Sequence, residues 1–176
     1  MDLEHLRYPI GRFTETIPFT AAGRAAAIEE LAALPSHLRA AVDGLSDARL
    51  DSPYRPGGWT VRQVVHHLAD SHMNGLIRLK LALTEEHPTI KPYDEDAWVR
   101  LPDARLPPAA SIAILDGVHE RWAVACAAMT DAQWGRTFVH PEHGMVMTVA
   151  WHIQNYAWHS AHHVAHITQL RAREGW

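Results

Sequence analysis

The run Trp158-His159-Ser160-Ala161-His162-His163-Val164-Ala165-His166 crowds four imidazoles into little more than two turns of a helix. Neutral imidazole is the commonest protein ligand for zinc and similar ions. Residues four apart on a helix lie one turn above each other, so two such rings can reach one ion. Two pairs have that spacing, His159/His163 and His162/His166. With His163 at zero and 100° per residue, His152, Tyr156, His159, Ile167 and Leu170 all fall within about 40° of it. That stripe has apolar members and should face a helical interior, whereas the stripe through His162 continues to the more polar Asn155 and Gln169. A second group is His66-His67-Leu68-Ala69-Asp70-Ser71-His72. Its apolar face is centred near Val61 and Leu68, which turns His66 toward solvent, sets His67 at the edge and favours His72 as the inward ring. Neutral imidazoles leave a divalent ion's charge uncancelled, and a site with fewer than four protein ligands keeps an open position for water or substrate. Water held there is acidified from ~15.7 to about 7, and a thiol held there loses its proton.

The elements that must position these rings are legible in the same chain. With 176 residues, 47% hydrophobic and 20% charged, it has the size and balance of one globular domain, not of a disordered segment. The fourteen histidines nearly equal the sixteen lysines and arginines together, an excess that asks for a purpose. A net charge of −4 argues against a nucleic-acid surface. No apolar run approaches the ~20 residues of a membrane span, and Met1-Asp2-Leu3-Glu4-His5 carries no export or lipidation signal. The expectation is a cytoplasmic protein acting on a small molecule, with neither nucleic acid nor membrane as partner. The single Cys126 excludes an intramolecular disulfide and a thiolate metal site, and reads as a core residue.

Residues 1–19, with Pro9, Gly11 and Pro18, read as an extended N-terminal arm. Phe19-Thr20 reads as a staple and cap opening an alanine-rich helix toward Asp43-Gly44, with Pro35 expected to kink it. After the turn-rich residues 51–58, Thr60 and Gln63 form a T-x-x-Q capping box. Val61, Val64, Val65, Leu68, Leu76, Leu79 and Leu83 then keep helical spacing up to His87-Pro88. Residues 88–110 hold five of the eleven prolines and read as a long loop of the kind that serves as a lid. Ile112, Leu115, Val118, Trp122, Ala125 and Met129 mark a third long helix. Thr137-Phe138-Val139 and Met145-Val146-Met147 read as two short strands around His140-Pro141-Glu142-His143-Gly144. Thr148 caps a last helix that reaches Arg173 and is closed by Gly175. The fold class that follows is all-α: a single domain over residues 1–176, an antiparallel four-helix bundle with a small β-hairpin before the last helix. Such bundles build metal sites between facing helices.

Three motifs carry a resemblance. Residues 54–74, YRPGGWTVRQVVHHLADSHMN, residues 136–142, RTFVHPE, and residues 156–167, YAWHSAHHVAHI, closely resemble the corresponding segments of the YfiT family within the DinB-like superfamily, and the resemblance extends over nearly the whole chain. It implies a four-helix bundle that binds one divalent metal through three histidines, one before a Leu-Ala pair on the second helix and two on the last helix, four apart. By motif these are His67, His159 and His163. The last two agree with the helical phase; the first overrules the preference for His72. The family is described as metal-dependent hydrolases with zinc, or nickel, at the site, often as homodimers. Related members are similar to thiol S-transferases that activate low-molecular-weight thiols such as bacillithiol. A metal-binding or ligand-binding stress protein without turnover is the remaining class.

A ligating imidazole normally donates its other N–H to a carboxylate or carbonyl. Asp70 and Glu142 are the nearest carboxylates by motif, Glu142 as orienter or general base. Tyr156, on the inward stripe, could aim a hydroxyl at the metal. His140 and His166 are candidates for supporting the ligands, and Arg136 or Arg121 for meeting an anionic group of the substrate. Trp59, Trp122, Trp151 and Trp158 read as core or dimer-interface residues.

Overall fold

The computed structural model describes residues 3–142 and 144–176; Met1 and Asp2, part of the N-terminal reading, and His143 at the hairpin tip lie outside the described residues. In chain order the elements are α1 (Leu3–Arg7), α2 (Ala21–Val42), α3 (Asp47–Leu50), α4 (Val61–Thr84), α5 (Glu95–Trp98), a 3-10 turn at Pro102–Arg105, α6 (Pro108–Ala127), α7 (Asp131–Trp134), β1 (Thr137–His140), β2 (Met145–Thr148) and α8 (Val149–Glu174). The long helices begin where a side chain can satisfy the free N–H groups of a first turn. Thr20 accepts from the Gly23 amide, and Thr148 from that of Trp151. Thr60 accepts from the Gln63 amide while Gln63 Oε1 accepts from Thr60, the reciprocal box expected from T-x-x-Q. Gly175, at φ 70°, ends α8 in the left-handed conformation that closes a helix.

The four long helices pack as a ring in which α2 and α4 each contact α6 and α8. Their directions follow from what they bury. One apolar cluster unites Leu34 and Leu38 of α2, Val64 and Leu68 of α4, Ile112 and Leu115 of α6, and Ile167 and Leu170 of α8. The other unites Ala27 and Leu31, Leu76 and Leu79, Trp122 and Cys126, and Ile153 and Ala157. The C-terminal half of α2 therefore meets the N-terminal halves of α4 and α6 and the C-terminal half of α8. The bundle is antiparallel across α4/α8 and α2/α6, and parallel along α4/α6 and α2/α8. A parallel neighbour cannot be reached by a short turn. At 1.5 Å per residue α4 is about 36 Å long, and the connection of residues 85–107 must travel back along it. The β-hairpin, in register Thr137↔Thr148 through His140↔Met145, holds the start of that connection. Ile90 donates to Val139 and Val139 to Pro88.

Four local expectations are corrected. The N-terminal arm is not wholly extended, since Leu3–Arg7 form α1. The segment lies along α8, with the Thr16 amide donating to Gln154 and the Gln169 amide to the Pro9 carbonyl. Phe13 there meets Trp151 and Trp158. Pro35 does not interrupt α2, which runs through it. Residues 88–110 are not a plain loop, because they contain α5, the 3-10 turn and the first turn of α6. His66 is not solvated: it is buried, with Ser111 Oγ 2.7 Å from Nδ1 and the Leu106 carbonyl 2.9 Å from Nε2. A helix in a four-helix ring has two neighbours, and here the returning connection covers a third side of α4, which a two-sided helical wheel does not anticipate.

Candidate metal centre

The α4/α8 seam carries the histidines. His67 of α4 and His159 and His163 of α8 each offer one ring nitrogen, and these three atoms lie within 4.8 Å of one another. His67 Nε2 and His159 Nε2 are 3.3 Å apart. Two nitrogens bound to zinc at ~2.0–2.1 Å in a tetrahedron are separated by ~3.3–3.4 Å, so this edge of the cluster has the dimension a tetrahedral cation needs. All three donors are neutral nitrogens at ordinary pH. Burial pushes His67 down to about 3, and burial together with the neighbouring imidazoles holds His159 and His163 well below the ordinary histidine value. A ring that resists protonation keeps its lone pair for a ligand.

The far sides of two of these rings are held by further histidines. His159 Nδ1 is 3.1 Å from His72 Nε2. His163 Nδ1 is 3.3 Å from His166 Nδ1, whose Nε2 lies 3.1 Å from the Arg7 carbonyl. A carbonyl only accepts, so His166 carries its proton on Nε2 and accepts at Nδ1. His163 then donates from Nδ1, which leaves its Nε2 lone pair free toward the cluster. His72, which the helical wheel favoured, is fully buried and stands one ring behind the cluster. His162, buried, stacks on Trp158 with ring centroids 4.3 Å apart. Beyond His72 the next ring is that of His119 on α6, 4.8 Å from it centroid to centroid. His72 Nδ1 is buried with no hydrogen-bond partner among the described residues. Burial lowers His119 to about 4, opposed in part by the Leu31 carbonyl, which Pro35 deprives of its helical N–H donor.

The cluster opens into a cavity of about 490 Å³ whose walls include Tyr8, Tyr54, Trp59, Trp158, Glu95 and Asp96. Trp59 sits over His67, centroids 4.6 Å apart, and its indole N–H donates to Asp96 at 2.9 Å, pinning the returning connection across the cluster. Glu95 is exposed on that connection; partial burial and its neighbours Asp96, Asp94 and Glu142 raise its pKa. Glu142 does not line the cluster cavity. It belongs to an adjoining one of about 450 Å³ with Ser71, Arg78, Glu95, His140 and Tyr156. Tyr156 donates to the Ser71 carbonyl at 3.1 Å, accepts from Ser71 Oγ at 3.4 Å, and lies 5.7 Å from the His159 ring. Its ring fits against Gly75, where an added Cβ would lie 2.7 Å from Tyr156 Cζ. Asp70 lies away from both cavities, half-buried and raised to about 6 by burial and by Asp103. Arg136 serves the fold, donating to the carbonyls of Ala82 and Glu85. Cys126 is a packing residue, its thiol pushed up to about 12 by burial. Among the described residues no helix is long and apolar enough to cross a membrane.

Glu95, Asp96 and Arg78 escaped the sequence reading. The one signal available for the two acids was their place in the proline-rich connection already suspected of forming a lid.

A profile of the DinB superfamily matches residues 30–167. A Bacillus cereus protein named "Putative metal-dependent hydrolase" is 50% identical over 175 residues, covering 99% of this chain and 100% of its own length. A Bacillus mycoides protein of the same name is 49% identical over 174 residues, with the same coverage. The solved structure of YfiT from Bacillus subtilis, described as "a probable metal-dependent hydrolase with an unusual four-helix bundle topology", superposes with a TM-score of 0.95 at 47% identity, over 98% of this chain and 99% of that one. The four-helix bundle protein TT2238, at 22% identity and a TM-score of 0.54 over 87% of this chain and 99% of its own, shares the fold.

Proposed function

The chain belongs to the DinB superfamily, and from that membership we propose that it is a metal-dependent hydrolase whose divalent ion, zinc before nickel, is held by His67, His159 and His163. The observation that carries this reading is the convergence of three neutral imidazole nitrogens from two helices, one pair at the 3.3 Å edge of a tetrahedron. When bound, a divalent ion supplies Lewis acidity that polarises a carbonyl and acidifies water near neutral pH. The chain's own groups do the remaining work. His72 and His166 hold the Nδ1 side of His159 and His163, keeping each Nε2 directed at the cluster. Trp59 and Trp158 narrow the cavity and exclude bulk water.

Glu95 is the proton acceptor in this reading. It lines both the cluster cavity and the adjoining one, while Asp96 is engaged by Trp59. Its raised pKa moves it toward the range in which a carboxylate exchanges protons at working pH. Tyr156, kept protonated by burial, offers a hydroxyl beside His159. Glu142 acts on the reaction only through the charge it places near Glu95.

The test is metal analysis of the purified protein together with hydrolysis of a panel of esters and amides. One equivalent of metal and turnover are expected, and His163→Ala should lose both. Glu95→Gln should keep the metal and lose kcat, with the acidic limb of the pH profile removed. Metal retained by His67→Ala but lost by His72→Ala would sink the ligand assignment. Equal inertness of wild type and His163→Ala across the panel would sink the hydrolase.

A further inference from the structure

Arg78 has no role in the site as described so far, and its surroundings are unusual for a structural arginine. Its Nε is buried with no hydrogen-bond partner among the described residues. Its hydrogen bonds are few: Nη2 donates over a long 3.5 Å to the Lys91 carbonyl, and the guanidinium also meets the Tyr156 hydroxyl. None of the ion pairs among the described residues includes it. A guanidinium cannot shed its charge, and a buried N–H without an acceptor costs free energy.

What it faces is space. Arg78 lines the cavity of about 450 Å³ and a second one of about 480 Å³ that share Ser71, Glu95, His140 and Tyr156. The second reaches His159 at one end and the apolar side chains of Phe138, Met147 and Trp151 at the other. Helical phase explains the alignment: taking His67 as zero, Ser71 lies at about 40° and Arg78 at about 20° on α4. Three residues of one stripe thus run from the histidine cluster to the guanidinium. The rise between His67 and Arg78 is about 16 Å, and an arginine side chain that leans toward the helix N-terminus brings its head to on the order of 10 Å from the cluster.

We propose that this cavity is a carboxylate-binding subsite, in which Arg78 takes the carboxylate of a small organic substrate whose apolar body lies against Phe138, Met147 and Trp151. As a statement about substrate it rests on the hydrolase reading above; as a statement about binding it does not. The chemistry favours a monocarboxylate. A planar guanidinium fork matches a carboxylate, and the Tyr156 and Ser71 hydroxyls stand beside it. Asp94, Glu95 and Glu142 in the lining repel a phosphate dianion more strongly than a monocarboxylate. A neutral ligand offers at most one carbonyl oxygen and no charge, whereas a carboxylate offers two oxygens to the fork and cancels the guanidinium charge. Substrates that satisfy both ends are amides or esters carrying a carboxylate about a dipeptide's length from the bond that breaks.

Calorimetric titration with N-acetyl-phenylalanine and with its carboxamide tests this, using the protein as purified and after zinc addition. The acid is expected to bind at least about tenfold more tightly than the amide. Arg78→Gln should abolish that difference by weakening the acid alone, and Arg78→Lys should restore part of it. Thermal melts of both variants confirm that they fold; if Arg78→Gln does not, the Arg78→Lys series decides. Equal binding of acid and amide, no binding of the acid at about 10 mM, or unchanged acid affinity in both variants overturns the proposal. Acid binding that depends on Arg78 in a protein without hydrolytic activity leaves the subsite standing and removes the hydrolase. Hydrolysis without acid binding does the reverse.

Discussion

The same bundle of helices builds two very different interiors. Around Leu34, Leu38, Val64, Leu68, Leu115 and Ile167 the core is dry and apolar. One residue away along each helix, His67 beside Leu68 and His166 beside Ile167 enter the α4/α8 seam, where the rings of His67, His72, His159 and His163 pack against one another and His119 of α6 packs on His72. The apolar region stabilises the fold by removing carbon surface from water. The seam works against it, since several buried nitrogens there have no partner among the described residues. A step of 100° around a helix separates a position packed in apolar core from one in a cluster of buried imidazoles.

That contrast can be broken most forcefully with acid. Burial lowers His119 and His152 to about 4, below the ordinary value near 6.5 that they regain on unfolding. Below pH 6.5 the unfolded chain takes up protons that the folded chain refuses, so stability is complete above that pH and is lost as pH falls toward 4. Each group contributes on the order of 3 kcal/mol over that window. Melting temperatures of metal-free protein from pH 7.5 to 4 should drop steeply below 6.5, and a flat profile would mean that the seam is not a dry histidine store.

Next in size, Leu38→Ala should cost about 2–5 kcal/mol by urea denaturation, with the same pH slope as wild type because no titratable group is touched. Gly75→Ala follows. The new methyl would collide with Tyr156 and Trp122, so a loss of about 1–3 kcal/mol is expected, accompanied by altered near-ultraviolet dichroism as the two rings shift. Smallest is His119→Phe, which replaces a buried imidazole, whose one acceptor is the Leu31 carbonyl, by a hydrocarbon ring. Stability at pH 7.5 should change by no more than about 1 kcal/mol, while the acid slope becomes shallower. A loss like that of Leu38→Ala would show that His119 holds the seam together.

Much of the fold was legible because its signals are local. The Thr60/Gln63 box, the Thr148 cap, the Gly175 terminus and the two strands about residue 141 each depend on residues within a few positions of one another. His159 and His163 were legible too, since they share a turn and a stripe. Which α4 histidine would stand beside them was not, because α4 has buried neighbours on both α6 and α8 and one wheel yields one inward direction. The motif resemblance named His67, and the structure places its ring nitrogen with those of His159 and His163. Glu95 and Arg78 lay beyond local reasoning. Their importance depends on which seam the 85–107 connection crosses, and that follows from the parallel pairing of α4 with α6.

That returning connection serves two purposes with one piece of chain. Its length is demanded by the direction in which α6 must start, so a deletion there would have to rebuild the bundle. Its side chains, among them Tyr93, Glu95 and Asp96, are not so constrained, and they face the cavities. In a family built this way, lineages are free to rewrite what the cavity admits but not to remove its wall. Differences in substrate between relatives should therefore be written as substitutions in the connection, while the helices that carry His67, His159 and His163 stay as they are.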